Sequence, residues 1–465
     1  MDSPWSHLPA GLKKIEPAWT RIQAKRKALR PSFIPLNFRN RIIMKTALSM
    51  RIILFLTTLL SLPFGELIVH SGDWPQWRGP YSNGHVTKGD SLPSKLDNSP
   101  RILWRILTGP GHSAPITQGN LLAVSEEQGD NEVLRLLDKR TGLEMWKKPY
   151  GQTYADDGFG AGPRCAPLFD DDRIYMQTCR GKLSCLKVKD GSILWEVDYQ
   201  KKFKVKWIKN KSQNEAAASR RGYSGTPLID GDHLICQVGG EPGTGVVCFD
   251  KLTGEVIWKS QDDLASFASP LITIISGKRQ FVTLTTEKIL SVDVENGELL
   301  WSQPVPTRYF RNVVTPVAAN NSVITASHSE GMLCIGGSGS NGKAKQKWKD
   351  ANLKINLATP VVVGSNLYTF AEKDRFICVD TATGKLNWEE RGFGKFYAST
   401  LTDGKRMLVL GQMGELVLLS IDPVKYEELD RMQVCGKTWS FPAYSNGQLF
   451  VRDQNNLQCI QLTDN

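Results

Sequence analysis

The chain has 465 residues, more than the roughly 250–300 at which one hydrophobic core stops growing, so several domains or an array of repeats are expected. A composition of 40% apolar and 23% charged residues is typical of a folded protein and excludes wholesale disorder. Of the net charge of +11, +9 belongs to residues 1–51. The other residues together are therefore nearly neutral, which argues against a nucleic-acid-binding protein.

The N-terminal part of the chain is typical of an export signal behind a basic extension. A basic flank precedes an apolar run over 52–64, which is shorter than the roughly 20 residues that span a membrane. We interpret 1–43 as a basic extension, with a true start at Met44 or Met50, and 44–71 as a signal peptide. An uncleaved membrane anchor is the alternative. The sequence therefore predicts an exported monomer, periplasmic or secreted, with no membrane span after signal removal.

From Trp104 onward the chain repeats a unit of three short apolar runs, a turn and a Trp. In the clearest copies, Phe249–Trp258 and Val379–Trp388, Asp ends the third run and Thr-Gly forms the turn. Eight units are spaced mostly by 40–46 residues, and their opening residues are Pro115, Pro167, Pro227, Pro270, Pro316, Pro360, Thr400 and Pro442. This period predicts an all-β, eight-bladed propeller of four-stranded antiparallel blades over 101–465, or seven blades if the Thr400 unit is misread.

The recurring residues of the unit are predicted to be structural. Asp caps its own turn with its carboxylate, and Gly supplies the positive φ that the connection between the third and fourth strands requires. Trp packs its apolar face against the neighbouring blade. Seven positions carry this Trp: Trp104, Trp146, Trp195, Trp258, Trp301, Trp348 and Trp388.

A thiol recurs at one position of the unit, where other copies have Leu136 and Leu418. This alternation indicates a small buried apolar group and not a disulfide. The five thiols concerned are Cys185, Cys248, Cys334, Cys378 and Cys459. One disulfide remains an open alternative among Cys165, Cys179, Cys236 and Cys435.

The two ends of the repeat region complement each other. The last unit lacks a Trp-bearing strand, whereas residues 101–106 form such a strand before the first unit. Pairing of the two would complete the last blade and remove a sheet edge that could aggregate. Residues 72–100 are predicted to form an N-terminal strap, with Trp74 and Trp77 packed on the outside of the ring. If these rings were exposed, they would instead form an apolar interface patch.

The repeat resembles that of the pyrroloquinoline-quinone (PQQ)-type β-propellers, from about Trp104 to the C-terminus. This family includes calcium- and quinone-dependent alcohol dehydrogenases and the non-catalytic BamB-type scaffold of outer-membrane protein assembly. The segments Asp73–Pro80 and Arg221–Pro227 resemble exported BamB-like proteins that are abundant in planctomycete bacteria. The resemblance is specific for the fold and weak for the function.

A candidate binding site follows from the repeat register. Residues three positions before each opening residue should converge at one mouth of the channel, which we call the funnel: His112, Arg164, Ser224, Phe267, Val313, Leu357, Tyr397 and Trp439. Neighbouring Tyr223, Asn312 and Asn356 are expected to join them through loop curvature. Such aromatic and cationic side chains suit a flat ligand or an extended peptide, and simple plugging of the channel is the alternative. The predicted binding residues are His112, Arg164, Tyr223, Phe267, Asn312, Asn356, Tyr397 and Trp439.

An enzyme would require more than these residues supply. Calcium takes six to eight oxygen ligands, and the funnel positions contribute no carboxylate. Asp156 and Asp157, in a Gly-rich loop, are the acids nearest the mouth, and a solvated turn is their alternative interpretation. The chain has neither the adjacent Cys pair that such dehydrogenases often carry nor a Cys-x-x-Cys-His haem site. We therefore expect no catalytic residue, no metal site and no cofactor; PQQ and calcium belong to the dehydrogenase alternative.

The sequence predicts a non-catalytic binding and scaffolding module for protein–protein interaction at the cell envelope. Its partners are expected to be envelope proteins, and nucleic acid is not expected. A carbohydrate or other small ligand in the funnel is a third hypothesis. The basic insertion Lys201–Arg221 is either a charged surface excursion or a docking loop for an acidic partner.

Overall fold

The structure is a computed structural model, and the residues that it describes are 72–97, 99–156, 160–206, 222–338 and 343–463. The chain divides into a unit over 1–64 and a unit over 65–465, and every described residue belongs to the second. The predicted basic extension and signal peptide lie outside the described residues. So do Asp157 and most of the basic insertion.

Eight four-stranded antiparallel sheets follow one another along the chain, which confirms the eight-bladed propeller. We number the blades 1–8 in the order of their first strands. In blades 1–7 the four strands pair in chain order, whereas blade 8 takes its fourth strand from the start of the described chain. The propeller is therefore closed by its own two ends.

The bounds of the strands are given by their position in the blade. The first strands are Ile116–Gln118, Leu168–Asp170, Leu228–Asp230, Leu271–Ile275, Val317–Ala318, Val361–Val363, Ala398–Thr402 and Ala443–Ser445. The second strands are Leu121–Gln128, Arg173–Gln177, His233–Gln237, Lys278–Leu284, Val323–Ser327, Asn366–Ala371, Arg406–Gly411 and Gln448–Arg452. The third strands are Asn131–Asp138, Lys182–Lys187, Val246–Asp250, Lys288–Asp293, Gly331–Ser338, Arg375–Asp380, Glu415–Ser420 and Asn456–Gln461. The fourth strands are Glu144–Gln152, Ile193–Asp198, Val256–Ser260, Leu299–Pro304, Ala344–Asp350, Leu386–Arg391, Glu428–Gln433 and Arg101–Leu107.

The first strands surround the channel. The first strand of blade 1 lies beside those of blades 2 and 8, so the ring is continuous there. In seven blades the opening Pro directly precedes the first strand. At that position its lack of an N–H group costs the sheet no hydrogen bond. Thr400 instead lies inside the first strand of blade 7, where it pairs with Val409. The Thr400 unit is therefore a true blade, and the seven-bladed alternative is wrong.

The predicted closure is confirmed. Strand Arg101–Leu107 pairs antiparallel with strand Asn456–Gln461, with Trp104 opposite Cys459. The buried guanidinium of Arg452 in blade 8 reinforces the seam, because it donates to the blade 1 carbonyl of Ser125 at 2.6 Å. The N-terminal strand thus covers an edge that would otherwise be unpaired.

Trp and Gly of successive blades form the recurring contact between them. In blade 2, Trp195 Nε1 donates to the carbonyl of Lys251 in blade 3 at 3.1 Å. Its ring lies against Gly254, where an added Cβ would come within 2.7 Å of the indole. The Asp250 carboxylate accepts the N–H of Thr253 at 2.8 Å, and Gly254 has a φ of +74°. The predicted roles of Asp, Gly and Trp in the unit are confirmed here.

Blade 4 departs from this arrangement. Trp301 is fully buried, and its Nε1 donates within its own blade to Gln280 Oε1 at 2.9 Å. The same oxygen accepts from the hydroxyl of Ser291, which stands opposite Trp301 where five other blades have Cys. The indole still packs with apolar residues of blade 5, including Val323 and Leu333. Gln280 and Ser291 thereby hold the Trp301 indole through hydrogen bonds within its own blade.

The nine cysteines are free thiols. The five at the repeated position are buried and stand opposite the fourth-strand Trp of their blades, as Cys248 does opposite Trp258. This confirms their role as small core groups. Cys165, Cys179 and Cys236 are also buried, and Cys435 is partly exposed, so the disulfide left open among these four is not formed.

Two small elements were not predicted. Helix Tyr199–Phe203 follows blade 2 and is capped by Asp198, whose side chain accepts from the backbone N–H groups of Gln200 and Lys201. A two-stranded sheet joins Ala155–Asp156 to Gly160–Ala161. No helix within the described ranges is long and apolar enough to cross a membrane.

Candidate functional site

A cavity opens at the centre of the ring where the first strands begin. It is lined by all eight residues that stand three positions before an opening residue: His112, Arg164, Ser224, Phe267, Val313, Leu357, Tyr397 and Trp439. Its cavity volume is about 180 Å³, smaller than the roughly 300–1,000 Å³ of most small-molecule sites. The register of the repeat thus brings distant parts of the chain together in one funnel.

The segment before the propeller closes the bottom of the funnel. The carbonyl of Pro75 accepts the N–H of Phe169 in blade 2 at 2.8 Å. The guanidinium of Arg78 donates to the carbonyl of Pro360, directly before the first strand of blade 6. Blades 2 and 6 lie opposite each other in an eightfold ring, so the strap crosses the channel. It places Trp77 on the funnel lining.

The predicted packing of Trp74 and Trp77 on the outside of the ring is wrong. Trp74 is 1% exposed and stacks on Phe441, with ring centroids 6.5 Å apart. Trp77 meets the same ring edge-on at 6.0 Å. The sequence indicates an aromatic strap, but its path depends on backbone hydrogen bonds to blades that are distant in the chain.

Aromatic groups form much of the funnel wall. The His112 and Trp439 rings meet at the seam of blades 8 and 1, with centroids 5.5 Å apart and planes 31° apart. The hydroxyl of Tyr397 accepts from Ser399 at 2.7 Å, and burial raises the pKa of Tyr397 to about 12, so the phenol keeps its proton at neutral pH. Phe267 adds an apolar face. These surfaces suit stacking against flat or apolar groups.

A partial ring of hydroxyl side chains, which we call the hydroxyl ring, lies below the rim, one position before the opening residues of blades 3–7. The hydroxyl oxygen of Thr226 accepts the N–H of Ala166 at 3.3 Å. Ser269 accepts from the N–H of Thr226 at 3.0 Å, and Thr315 from the N–H of Ser269 at 3.1 Å. Blades 3, 4 and 5 each thereby hold the backbone of the preceding blade. Thr226, Ser269 and Thr315 also line the funnel, so these hydroxyls have a structural role at the site.

The funnel is positively charged. The guanidinium groups of Arg164 and Arg311 both line it, whereas its described lining includes no Asp or Glu. Arg78 lies fully buried below the floor, and burial lowers its pKa to about 9, so it remains charged at neutral pH. Burial, with the nearby charge of Arg311, lowers the pKa of His328 to about 4, so this imidazole is neutral. The field inside the funnel favours an anionic group.

Three of the predicted binding residues do not line the funnel. Tyr223 is buried, and its hydroxyl donates to the carbonyl of Val238. Asn312 is also buried, and its amide donates to three backbone carbonyls. The side-chain Oδ1 of Asn356 accepts from the Arg311 guanidinium at 2.8 Å. Each stands four positions before an opening residue, so alternation along the chain turns it away from the axis and the next residue inward.

Several lining residues were missed by sequence reasoning. The hydroxyl ring could have been predicted from the sequence, because Ser or Thr directly precedes the opening Pro in blades 3–6. Trp77 and Phe441 carried no such signal. Arg311 lies outside the repeat register, and its loop alone determines that it reaches the funnel.

A groove adjoins the funnel at the seam of blades 8 and 1. Its lining includes Gly111, Gly160, Lys437 and Asn455, and it shares His112 and Trp439 with the funnel. The same two rings therefore face both spaces. The groove gives the site an elongated outline across the top of the propeller.

The described lining does not fit a calcium ion. Calcium prefers several carboxylate or amide oxygens, but the funnel offers hydroxyls, guanidinium groups and aromatic rings. In the described part of the chain, no three His, Cys, Asp or Glu side chains converge as metal ligands do. The side chain of Asp156 and all of Asp157 lie outside the described residues.

Comparison with known proteins shows the family of the repeat. A family model described as outer membrane protein assembly factor BamB matches residues 129–389 and 345–462. No curated protein matches the sequence.

Several solved structures share the fold. BamB from Moraxella catarrhalis is 15% identical and superposes with a TM-score of 0.53, covering 78% of this chain and 98% of its own. The quinohemoprotein alcohol dehydrogenase ADHIIG from Pseudomonas putida HK5 is 11% identical, with a TM-score of 0.57 and coverage of 85% and 81%. A europium-containing methanol dehydrogenase is 13% identical, with a TM-score of 0.57 and coverage of 82% and 89%. At these identities the similarity establishes the fold alone.

Proposed function

Because this chain belongs to the β-propeller family described as outer membrane protein assembly factor BamB, we propose that it is an exported, non-catalytic module that binds a protein partner at the cell envelope. The funnel is the proposed contact site. Both the scaffold protein and the dehydrogenases have this fold, so the choice between them depends on the residues at the site.

The composition of the funnel carries the proposal. Trp439, Tyr397, Arg164 and Arg311 line one concave surface at the centre of the ring. Trp, Tyr and Arg are the residue types that contribute most binding energy at protein interfaces, especially when clustered in a central pocket. The described lining also lacks the oxygen donors that calcium would need. Binding of a protein partner requires only these side chains and no added metal ion or cofactor.

Site-specific photocrosslinking in intact cells tests the contact site. A photoreactive residue in place of Leu357 in the funnel should yield a crosslinked partner, whereas one in place of Leu143 on the exposed outer turn should not. Replacing Arg164, Tyr397 and Trp439 together by Ala should abolish the Leu357 crosslink. Replacing exposed Arg140, Leu143 and Met145 by Ala is the matched control. An unchanged crosslink in the funnel variant would contradict the proposed site.

The dehydrogenase alternative has its own test. Addition of PQQ and calcium to the purified protein should give no bound chromophore and no dye-linked oxidation of alcohols. A stoichiometric chromophore, with activity lost in a Trp439→Ala variant, would favour the oxidoreductase over the binding module.

A further inference from the structure

We propose that the funnel and its adjoining groove bind the C-terminal end of an extended polypeptide, with the terminal carboxylate held by Arg164 and Arg311. This inference rests on the proposed binding function and names the chemistry of the partner segment. Three features of the structure support it: the closed floor, the charge and the elongated outline.

The floor favours a chain end over a continuous segment. The strap crosses the channel between blades 2 and 6, and Trp77 forms the bottom of the funnel together with Phe441. A polypeptide that enters the mouth therefore cannot leave at the opposite end. An internal segment would have to reverse direction inside the funnel, whereas a chain terminus can simply end there. Binding a terminus therefore costs less conformational free energy.

The charge favours a carboxylate terminus. Two guanidinium groups line the funnel and Arg78 lies beneath it, whereas the described funnel lining has no carboxylate; the Asp453 carboxylate lines the adjoining groove. An N-terminal ammonium group would be repelled there. Arg binds carboxylates through planar, charge-assisted hydrogen bonds, which are about twice as strong as neutral ones. The hydroxyl groups of Thr226, Ser269 and Thr315 accept backbone N–H groups and can still donate their own protons to a carboxylate, but they carry no charge and so cannot replace the guanidinium groups.

The shape favours a polypeptide over a small anion. The groove shares His112 and Trp439 with the funnel and continues across the seam of blades 8 and 1. The preceding residues of a bound chain would lie there, between Gly111 and Lys437. Phe267 and Leu357 form apolar wall inside the funnel, so we expect an apolar or aromatic side chain at the final position.

Calorimetric titration with synthetic peptides tests the inference. The probe is a pool of heptapeptides with six randomised positions followed by Phe, prepared as the free acid and as the C-terminal amide. The full-length protein should bind the free acid at least about tenfold more tightly than the amide, as expected for loss of a charge-assisted contact. Equal binding of the free acid and the amide would overturn the inference. This comparison uses only the unmodified protein, so it does not depend on the folding of a variant.

Two variants localise the effect. Arg164→Gln combined with Arg311→Gln should reduce binding of the free acid to the level of the amide. Arg140→Gln combined with Arg279→Gln, at two solvent-exposed positions that do not line the funnel, should leave the difference unchanged. Free-acid binding that is unaltered in the funnel variant would overturn the assignment of the carboxylate site.

The failure of this inference and that of the proposed function can be told apart. If acid and amide bind equally while the Leu357 crosslink still depends on the funnel, the partner is bound through an internal segment and only the inference fails. If the crosslink is independent of the funnel, the proposed function fails. Stoichiometric binding of citrate without peptide binding would indicate a small-anion site and would also overturn the inference.

Discussion

At the scale of single residues, glycine decides how closely neighbouring blades approach. Gly254 has a φ of +74°, and an added Cβ would lie 2.7 Å from the Trp195 indole of the preceding blade. Gly231, in the same blade, has a φ of +59° and no heavy atom within 4 Å of such a Cβ. Both glycines have a positive φ, but only Gly254 contacts the neighbouring blade. Comparing substitutions at the two positions therefore separates the cost of the positive φ from the cost of a clash between blades.

Replacement of these glycines should give unequal losses of stability. Gly231→Ala should lower the free energy of unfolding by about 1 kcal/mol, the cost of a left-handed non-glycine residue. Gly254→Ala should lower it by about 3 kcal/mol, because overlap with Trp195 adds to that cost. Chemical denaturation of the purified proteins measures both. Equal losses would show that the Trp contact does not limit the approach of the blades.

At the scale of elements, a buried carboxyl group joins blades 1 and 2. Glu132, in the third strand of blade 1, is fully buried and accepts the backbone N–H of Cys179 in blade 2 at 3.1 Å. Burial raises its pKa from 4.5 to about 7. Between these two values the folded chain retains a proton that the unfolded chain has released. The free energy of unfolding therefore falls as pH rises through this window and levels off above about pH 7.

A Glu132→Gln variant should remove this pH dependence, because the amide keeps an oxygen acceptor and does not ionise. Relative to the wild type, the variant should gain up to about 3 kcal/mol between pH 4.5 and pH 8. Denaturation curves across this range measure the gain. Glu255→Gln, at an exposed position, should follow the wild-type profile. A constant difference between Glu132→Gln and the wild type would contradict a buried proton at this site.

At the scale of the whole molecule, the N-terminal part of the described chain has two separable tasks. Strand Arg101–Leu107 completes blade 8, whereas the strap before it closes the funnel. Loss of the strand would leave the edge of Asn456–Gln461 unpaired, and such edges pair with other chains. Loss of the strap would open the channel but leave every blade complete.

Two truncations separate these tasks. A chain lacking residues 1–100 should keep eight complete blades and the association state of the full chain, whereas one lacking residues 1–107 should self-associate further and unfold at a lower temperature. Sedimentation velocity and thermal unfolding measure both properties. We expect the second truncation to cost several kcal/mol more than the first, because it removes a buried Trp and a ladder of backbone hydrogen bonds. Equal behaviour of the two chains would contradict a closing role for the strand.

Sequence analysis predicted the residues of the funnel only where the repeat register holds. His112, Arg164, Phe267, Tyr397 and Trp439 line it, since equivalent positions around a rotation axis converge. Tyr223, Asn312 and Asn356 do not, because each was placed one residue out of the alternating pattern and is hydrogen-bonded elsewhere. Arg311 and Trp77 were missed, because neither belongs to the repeating unit.

The sequence by itself determined the number of blades, the turn chemistry and the closure by the terminal strand. These features depend on local patterns that recur along the chain: Pro before a strand, Asp and Gly in a turn, and Trp on the outer strand. Only the tertiary structure decided where the strap runs, how the funnel ends and which charges face it. Those features arise from single contacts between distant segments, such as Arg78 with Pro360, and a contact that occurs once leaves no period in the sequence.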